Sequence, residues 1–409
     1  MKKVREGYKI TELGEIPSDW NIMKLSEVAE IVMGQSPDSS SYNDTEDGVA
    51  FFQGKTEFGR INPVVKKWCN NPTKISKPLD ILISVRAPVG DVNVNNIEAC
   101  IGRGLGAIRA TSSSNYKYLY YAIQKYNNQL KKASQGSTFE AINSNDLKGL
   151  KLPIPHIDEQ EKIALILSTV DEQIDNVDAL IEKNKELKKG LMQTLLTKGI
   201  GHTKFKKTEI GESPEEWKVS KLGQLFYINT KSVEPSKLEE DILHYSLPAF
   251  DESRVPVKQS SIEIKSNKYL IEENSILVSK LNPRIKRIWL VNKVNFIKQI
   301  CSTEFINYVA INKENVNLKY FEQYFNSDIF QQELLNRESG STGSRKRVTP
   351  NSTMDIKIAL PSSCEQEKIA IILSELDEKI EGYENKKQKL EELKKGLMQQ
   401  LLTGNIRVI

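Results

Sequence analysis

Two groups of side chains in this sequence have types and spacings that could do chemistry. The first is polar and basic, of the kind that reads nucleic acid. One half of the chain offers Gln35-Ser36, Gln53 with Lys55, Arg60, Arg86, Arg103 and Ser137-Thr138. The other offers Lys231-Ser232, Lys280, Asn282, Arg284-Ile285-Lys286-Arg287 and Ser344-Arg345-Lys346-Arg347. A guanidinium fork matches the O6/N7 edge of guanine or a pair of phosphate oxygens, and Gln or Asn amides match adenine. Ser, Thr and Lys mostly position the nucleic-acid backbone. Arg86 and Arg103 flank strand patterns, so a structural ion pair is an equal alternative there.

The second group would be catalytic, and it fails on spacing. The run from Gly48 to Thr56 resembles a phosphate-binding loop, but it is one residue too long and its interior Val-Ala-Phe-Phe-Gln is a strand pattern. Gly102-Arg103-Gly104-Leu105-Gly106-Ala107 fits a loose dinucleotide pattern, yet no helix pattern follows and no acid lies about 20 residues on. It reads as a glycine-rich turn near Cys100. Glu263-Ile264-Lys265 could be half of a nuclease site, but the same kind of triplet recurs at Asp146-Leu147-Lys148, Glu186-Leu187-Lys188 and Asp355-Ile356-Lys357. Three scattered histidines (His156, His202, His244) and four separated cysteines (Cys69, Cys100, Cys301, Cys364) support neither a catalytic triad nor a zinc site, and imply reduced thiols. No Asn/Asp-Pro-Pro-aromatic box is present. The expectation is a non-catalytic chain with no metal and no cofactor of its own.

The elements that must position the polar set are written twice. Thr11-Glu12-Leu13-Gly14-Glu15-Ile16-Pro17 and Trp20 recur as Thr208-Glu209-Ile210-Gly211-Glu212-Ser213-Pro214 and Trp217, with eight identities over positions 11–25. Glu159 to Thr197 matches Glu365 to Thr403 at a constant offset of 206, without a gap and with 24 identities in 39 positions. Between these anchors the copies diverge, leaving echoes such as Ile81-Leu82-Ile83-Ser84 against Ile276-Leu277-Val278-Ser279, and Cys100 against Cys301. One fold used twice, with loops of two specificities, gives this pattern.

Glu159–Thr197 has the period of a helix, through Ile163, Leu167, Val170, Ile174, Val177, Ile181, Leu187, Leu191 and Leu195, and its copy repeats it. Prolines 155 and 361 precede the two segments, and glycines 199 and 404 follow them. At 1.5 Å per residue each spans about 58 Å. An amphipathic helix of that length must bury its stripe, and the duplicate is the natural partner, in an antiparallel coiled pair. That pairing would bring the C-terminus close to the N-terminus. Gly190 and Gly396 sit in equivalent helix interiors at about 1 kcal/mol each against Ala, which a close helix crossing or a docking contact would justify.

The globular halves read as mixed α/β. Strands are expected at 49–53, 81–85, 92–94, 276–279, 288–291 and 305–311, and helices at 116–130 and 318–335, with Tyr118, Tyr121, Phe321, Tyr324 and Phe325 as core. The charge divides unevenly. The 409 residues carry +4 overall, but the two long segments hold 17 acids against 12 lysines, so the remainder carries +9. A modest total therefore conceals acidic helices and basic heads, as a nucleic-acid reader requires. No apolar run approaches about 18 residues, so no membrane span is expected, and the chain reads as cytoplasmic.

With these residues in view, the sequence closely resembles the specificity subunit of type I restriction-modification systems. The likeness is carried by Gly14-Glu15-Ile16-Pro17 with Trp20, by Ile81-Leu82-Ile83-Ser84-Val85-Arg86, by Pro153-Ile154-Pro155 with Glu159-Gln160-Glu161-Lys162-Ile163-Ala164, and by Leu187-Lys188-Lys189-Gly190-Leu191-Met192. The resemblance implies an α+β (mixed) fold: two globular α/β target recognition domains separated by two long antiparallel coiled-coil helices, in a pseudo-two-fold internal repeat. The boundaries would be 1–158 for the first target recognition domain, 159–200 for the central spacer helix, 201–364 for the second domain and 365–409 for the C-terminal spacer helix. It further implies that each domain reads one half of an asymmetric bipartite site in double-stranded DNA. Two methyltransferase (modification) subunits would bind S-adenosylmethionine and methylate adenine N6, and restriction/translocase subunits would use ATP and Mg²⁺. One departure stands out: the counterpart of Arg86 in the second copy is Leu281, with Lys280 beside it, so the halves should meet DNA differently there. Within DNA binding, a two-headed protein working without enzyme partners is the alternative. Outside it stand a structural spacer protein and an autonomous nuclease.

Overall fold

The structure is a computed structural model and describes residues 4–134, 140–340 and 346–409. The chain forms two compact units: 1–178 with 385–409, and 179–384. Each long helix therefore contributes half of its length to each unit.

In the first unit a four-stranded antiparallel sheet runs in the order Val92–Val94, Ile81–Ser84, Leu105–Ala110, Ala29–Met33. The second unit repeats it as Ile288–Val291, Ser275–Ser279, Phe305–Ala310, Phe226–Ile228. The central strands, Ile81–Ser84 and Ser275–Ser279, are buried at every position, which is why their sequences are apolar runs and not alternations.

A second, five-stranded sheet accompanies each. Four strands keep one order: Trp68–Cys69, Val49–Phe52, Ala99–Ile101, Ile75–Ser76 in the first unit and Val257–Ser260, Asp241–Tyr245, Lys298–Ser302, Lys268–Ile271 in the second. In both, the middle pair is parallel. The fifth strand changes edge. Tyr42–Asn43 pairs with Trp68–Cys69, whereas Ser232–Val233 pairs with Lys268–Ile271 at the other side of the sheet.

The helices expected at 116–130 and 318–335 each form in two pieces. The first is Tyr116–Tyr126 followed by Asn128–Ser134, and the second is Leu318–Asn326 followed by Asp328–Leu335. Ser327 causes the second break: its hydroxyl accepts the Phe330 N–H, capping a new helix. Tyr118, Tyr121, Phe321, Tyr324 and Phe325 are all buried core.

The long helices run Ile157–Lys198 and Ser363–Leu401 and pair antiparallel within each unit. Lys394 donates to Asp171 at 2.8 Å in the first unit, and Lys188 to Asp377 in the second. With the offset of 206 these are the same pair built twice. Each anchor, buried at Asp171 and half exposed at Asp377, also reaches the globular part: Tyr121 donates to Asp171 at 2.6 Å, and Gln323 to Asp377 at 2.8 Å. Arg60 joins Asp171 and Asp175, so this cation is spent on holding its loop to the helix.

The helix starts are duplicated as well. Gln160 accepts the Asn115 N–H at 2.9 Å, and Gln366 accepts the Asn317 N–H at 2.9 Å. The termini meet inside the first unit: Arg5 donates to Asn405 at 2.7 Å and Tyr8 to the Gly404 carbonyl at 2.7 Å. The expectation of a close crossing at Gly190 and Gly396 fails, because a Cβ at either would meet nothing within 4 Å. Their cost of about 1 kcal/mol each is not explained by packing within the chain.

Candidate nucleic-acid interface

The polar loops converge where the central strand of each four-stranded sheet ends, after Ser84 and after Ser279. In the first unit the Val85 N–H donates to the Gly104 carbonyl at 3.0 Å, and Ala87 N–H to the Glu140 carbonyl at 3.0 Å. Arg86 lies across an isolated β-bridge from Ala141. Arg103 is exposed on the turn between Ala99–Ile101 and Leu105–Ala110. That turn demands glycine: a Cβ on Gly104 would sit 2.6 Å from the Gln53 carbonyl, and one on Gly34 would sit 2.2 Å from the Gly102 carbonyl. The close approach brings Ser36 to the rim, where its hydroxyl accepts from the Gln53 amide at 3.2 Å and from the Arg103 N–H at 3.3 Å. Gln35, Ser36, Gln53, Arg86 and Arg103 thus share one rim. Among the described residues no carboxylate pairs with Arg86 or Arg103.

In the second unit the Lys280 N–H donates to the Glu304 carbonyl at 2.9 Å, and the Val348 N–H to the Lys280 carbonyl at 2.9 Å. Leu281 bridges Arg347, and the Asn282 N–H donates to the Lys346 carbonyl at 2.8 Å. Asn282 adopts a left-handed φ of 48°, which Asn tolerates better than most residues, and this turn exposes Arg284. Lys280, Asn282, Arg284, Lys346 and Arg347 therefore meet on one rim.

Carboxylates hold much of this set. Arg347 forks onto Glu304 at 3.1 and 3.2 Å. Glu338 pairs with Lys346 and lies 3.6 Å from Arg284. The Lys346 ammonium holds the Glu338 carboxyl below the usual carboxylate range, against a smaller opposing effect of burial. Lys286 donates to Asp328 at 2.6 Å.

Arg287 grips Asp251 through bonds of 2.6 and 2.8 Å, and this holds the Asp251 carboxyl below its usual range. Lys55 pairs with Asp91 in the corresponding place. The Ser84 N–H donates to the Asp91 carbonyl just as the Ser279 N–H donates to that of Arg287. The two units thus carry the same ion pair with its signs exchanged.

Lys231 is not brought to the rim. It pairs with Glu272, which precedes strand Ser275–Ser279, whereas Lys280 follows it. The changed edge of Ser232–Val233 is the cause. Ser137, Thr138, Ser344 and Arg345 lie outside the described residues.

Sequence reading missed Glu304, Glu338 and Asp91, and weighed Asp251 only as a carboxylate upstream of Glu263-Ile264-Lys265. The strand register places Glu304 opposite Gly104, one residue off the spacing counted from Cys100 and Cys301, so residue spacing carried no direct signal for it. Among the described residues no group of His, Cys, Asp and Glu is arranged to hold a metal, and no helix is long and apolar enough to cross a membrane.

The model of the type I restriction modification DNA specificity domain matches residues 17–187 and 214–392. The chain belongs to this specificity family. The two matched stretches are the two copies, so the repeat is a tandem of one specificity domain. The MjaX specificity subunit of Methanocaldococcus jannaschii is 41% identical over 196 residues, covering 47% of this chain and 46% of that one. This chain thus aligns with about half the length of that relative. The MjaVIII specificity subunit from the same organism is 26% identical over 416 residues, covering 98% and 96%. The crystal structure of a type I restriction-modification S subunit from M. genitalium superposes with a TM-score of 0.61 at 17% identity, covering 98% of this chain and 97% of that one. The fold is therefore that of a specificity subunit, mixed α+β with two domains and long helices. Specificity subunits are DNA-recognition components of restriction-modification systems and are not the catalytic ones.

Proposed function

We propose that each unit of this specificity chain reads one half of an asymmetric, bipartite site in double-stranded DNA. The observation that carries the proposal is one rim built twice on a repeated frame with different side chains: Gln53, Arg86 and Arg103 in one, and Lys280, Asn282, Arg284, Lys346 and Arg347 in the other. A repeated frame with unlike rims suits a target whose halves differ. Lys55, Lys286 and Arg287 join the DNA surface only by exchanging a carboxylate for a phosphate, and Lys231, paired with Glu272 away from the rim, drops out of it. Ser137, Thr138, Ser344 and Arg345 complete the set of residues assigned to DNA.

In this reading the chain directs adenine-N6 methylation by two methyltransferase subunits, and cleavage by restriction/translocase subunits. S-adenosylmethionine, ATP and Mg²⁺ belong to those partners. The work is cytoplasmic. The paired helices set the half-site spacing, and their duplicated faces dock two copies of one methyltransferase chain. Supporting this are exposed apolar residues at equivalent positions, Leu165 at 66% with Ile371 at 51%, and Leu187 and Leu393 at 50% each. Glycines 190 and 396, one turn beyond the latter two, leave room for close approach. The neighbouring Glu159, Gln160, Ile163 and Ala164 are buried and already engaged, so of that stretch Glu161 and Lys162 remain available.

The test is mapping of methyladenine across a genome with this gene intact, deleted, or with its first recognition domain exchanged for that of a relative. The expected result is that one half of the methylated motif changes and the other stays. A motif that keeps both halves after the exchange refutes the reading.

A further inference from the structure

The two rims share a construction and differ in electrostatics. Hydrogen bonding makes the Arg103-Gly104 turn equivalent to Thr303-Glu304, and the bridges make Arg86 equivalent to Leu281 and Ala141 to Arg347. An arginine therefore stands on this bridge in both units, but on opposite sides of it. Beside it the turn carries a guanidinium in one unit and a carboxylate in the other. Arg86 and Arg103 face no carboxylate partner among the described residues. Arg347 is forked onto Glu304, and Glu338 engages both Lys346 and Arg284.

Resting on the DNA-reading role above, we propose that Glu304 and Glu338 are specificity-determining residues of the second unit. They tie Arg347, Lys346 and Arg284 to the protein, so these cations do not close on every phosphate backbone they meet. A carboxylate near a phosphate is repulsive, and specificity often depends on such a repulsive element. The pairs open against a duplex that repays them, for instance one whose cytosine or adenine amine donates to the freed carboxylate. The first unit, whose Arg86 and Arg103 have no carboxylate partner among the described residues, supplies the larger share of salt-dependent binding.

The experiment uses the full chain with Glu304→Gln and Glu338→Gln, singly and together, since glutamine keeps the shape and removes the charge. Binding to a mixed-sequence DNA duplex is followed across salt concentrations. Affinity for the duplex is expected to rise several-fold, and the logarithmic salt slope to steepen by about one for each cation released. In cells carrying the complete system, methyladenine mapping is expected to show the second unit's half-site relaxed and the first unit's intact. Unchanged or weaker mixed-sequence binding, relaxation of the first half-site, or a motif intact in both halves overturns the proposal. Arg86→Ala with Arg103→Ala separates the two levels. If that variant loses duplex affinity while both glutamine variants are silent, DNA reading stands and the role of the glutamates falls. If no variant alters binding, the rims are not the DNA surface and both fall.

Discussion

Trp20 donates its indole N–H to Glu159 at 2.9 Å, and 197 residues later Trp217 does the same to Glu365 at 2.9 Å. Each bond ties the entry to a globular part to the first turns of the long helix that leaves it. The other side of each carboxylate is held by the residues that follow the opposite helix. Arg407 donates to Glu159 at 2.8 and 3.0 Å, and His202 shares a hydrogen bond with Glu365 at 2.9 Å. Each unit is closed by a segment delivered from the other copy, so neither half of the sequence completes its own frame.

Glu159→Gln keeps an acceptor for Trp20 but removes the charge facing Arg407. Loss of a charged hydrogen-bond partner should cost the first unit about 2 kcal/mol. Urea unfolding followed by tryptophan fluorescence measures it, and an unchanged midpoint would show that the Arg407 contact contributes nothing.

Asp171 is buried among Tyr121, Lys394 and Arg60. Burial alone would raise its pKa, but the hydrogen bonds from Lys394, Tyr121 and Arg60 outweigh it and leave the carboxyl below its ordinary range. A depressed carboxylate pKa contributes stability above the unfolded-state pKa, and that stability is lost as pH falls through the folded value. Asp171→Asn should therefore destabilise the first unit by about 3 kcal/mol at neutral pH, with the gap from wild type closing in strong acid. Thermal melts across pH check this, and a gap that persists in acid counts against it.

The sign-exchanged pairs Lys55–Asp91 and Asp251–Arg287 predict their own rescue. Arg287→Asp alone places two carboxylates together and should lower the melting temperature of the second unit. Adding Asp251→Arg should restore most of the loss, because the first unit already tolerates that polarity. A double variant no better than the single one would mean that the contact depends on arginine geometry and not on charge.

Leu187→Glu with Leu393→Glu tests the duplicated helix faces. Both side chains are half exposed, so folding should be unaffected, as circular dichroism would report. Co-purification of the methyltransferase subunit should fall at least tenfold while duplex binding by the chain alone persists. Retention of the partner would remove these faces from the docking surface.

Lengthening both long helices by about four residues, roughly one turn, should lengthen the gap between methylated half-sites or abolish methylation, with the half-site sequences unchanged. Methyladenine mapping reads out both, and an unaltered gap would dismiss the spacing role.

Features that repeat along the chain were legible from sequence. The long helices show in the 3–4 spacing of Ile163, Leu167, Val170 and Ile174, and the duplication shows in an offset that stays at 206 along the whole of Glu159–Thr197. The strands Ile81–Ser84 and Ser275–Ser279 and the aromatic helix cores were visible for the same reason: burial imposes a local period, and a local period can be read one residue at a time. The resemblance to the specificity family rested on those segments and needed no coordinates.

The candidate rim was only half legible. Residue type gave Arg86 and Arg103 a structural ion pair as an equal alternative and Arg287 and Arg347 a nucleic-acid role, yet the first two are unpaired among the described residues while the other two are bound by Asp251 and Glu304. Arg60 meets Asp171 across 111 positions of sequence, and Lys231 leaves the rim because one edge strand joins the opposite side of its sheet. Sequence alone determined that one fold is built twice and that its loops differ, because helix period and repeat register are local properties. Which cations stay free to meet a nucleic acid was decided only by tertiary structure, because an ion pair depends on distances of about 3 Å between side chains that the chain order keeps far apart.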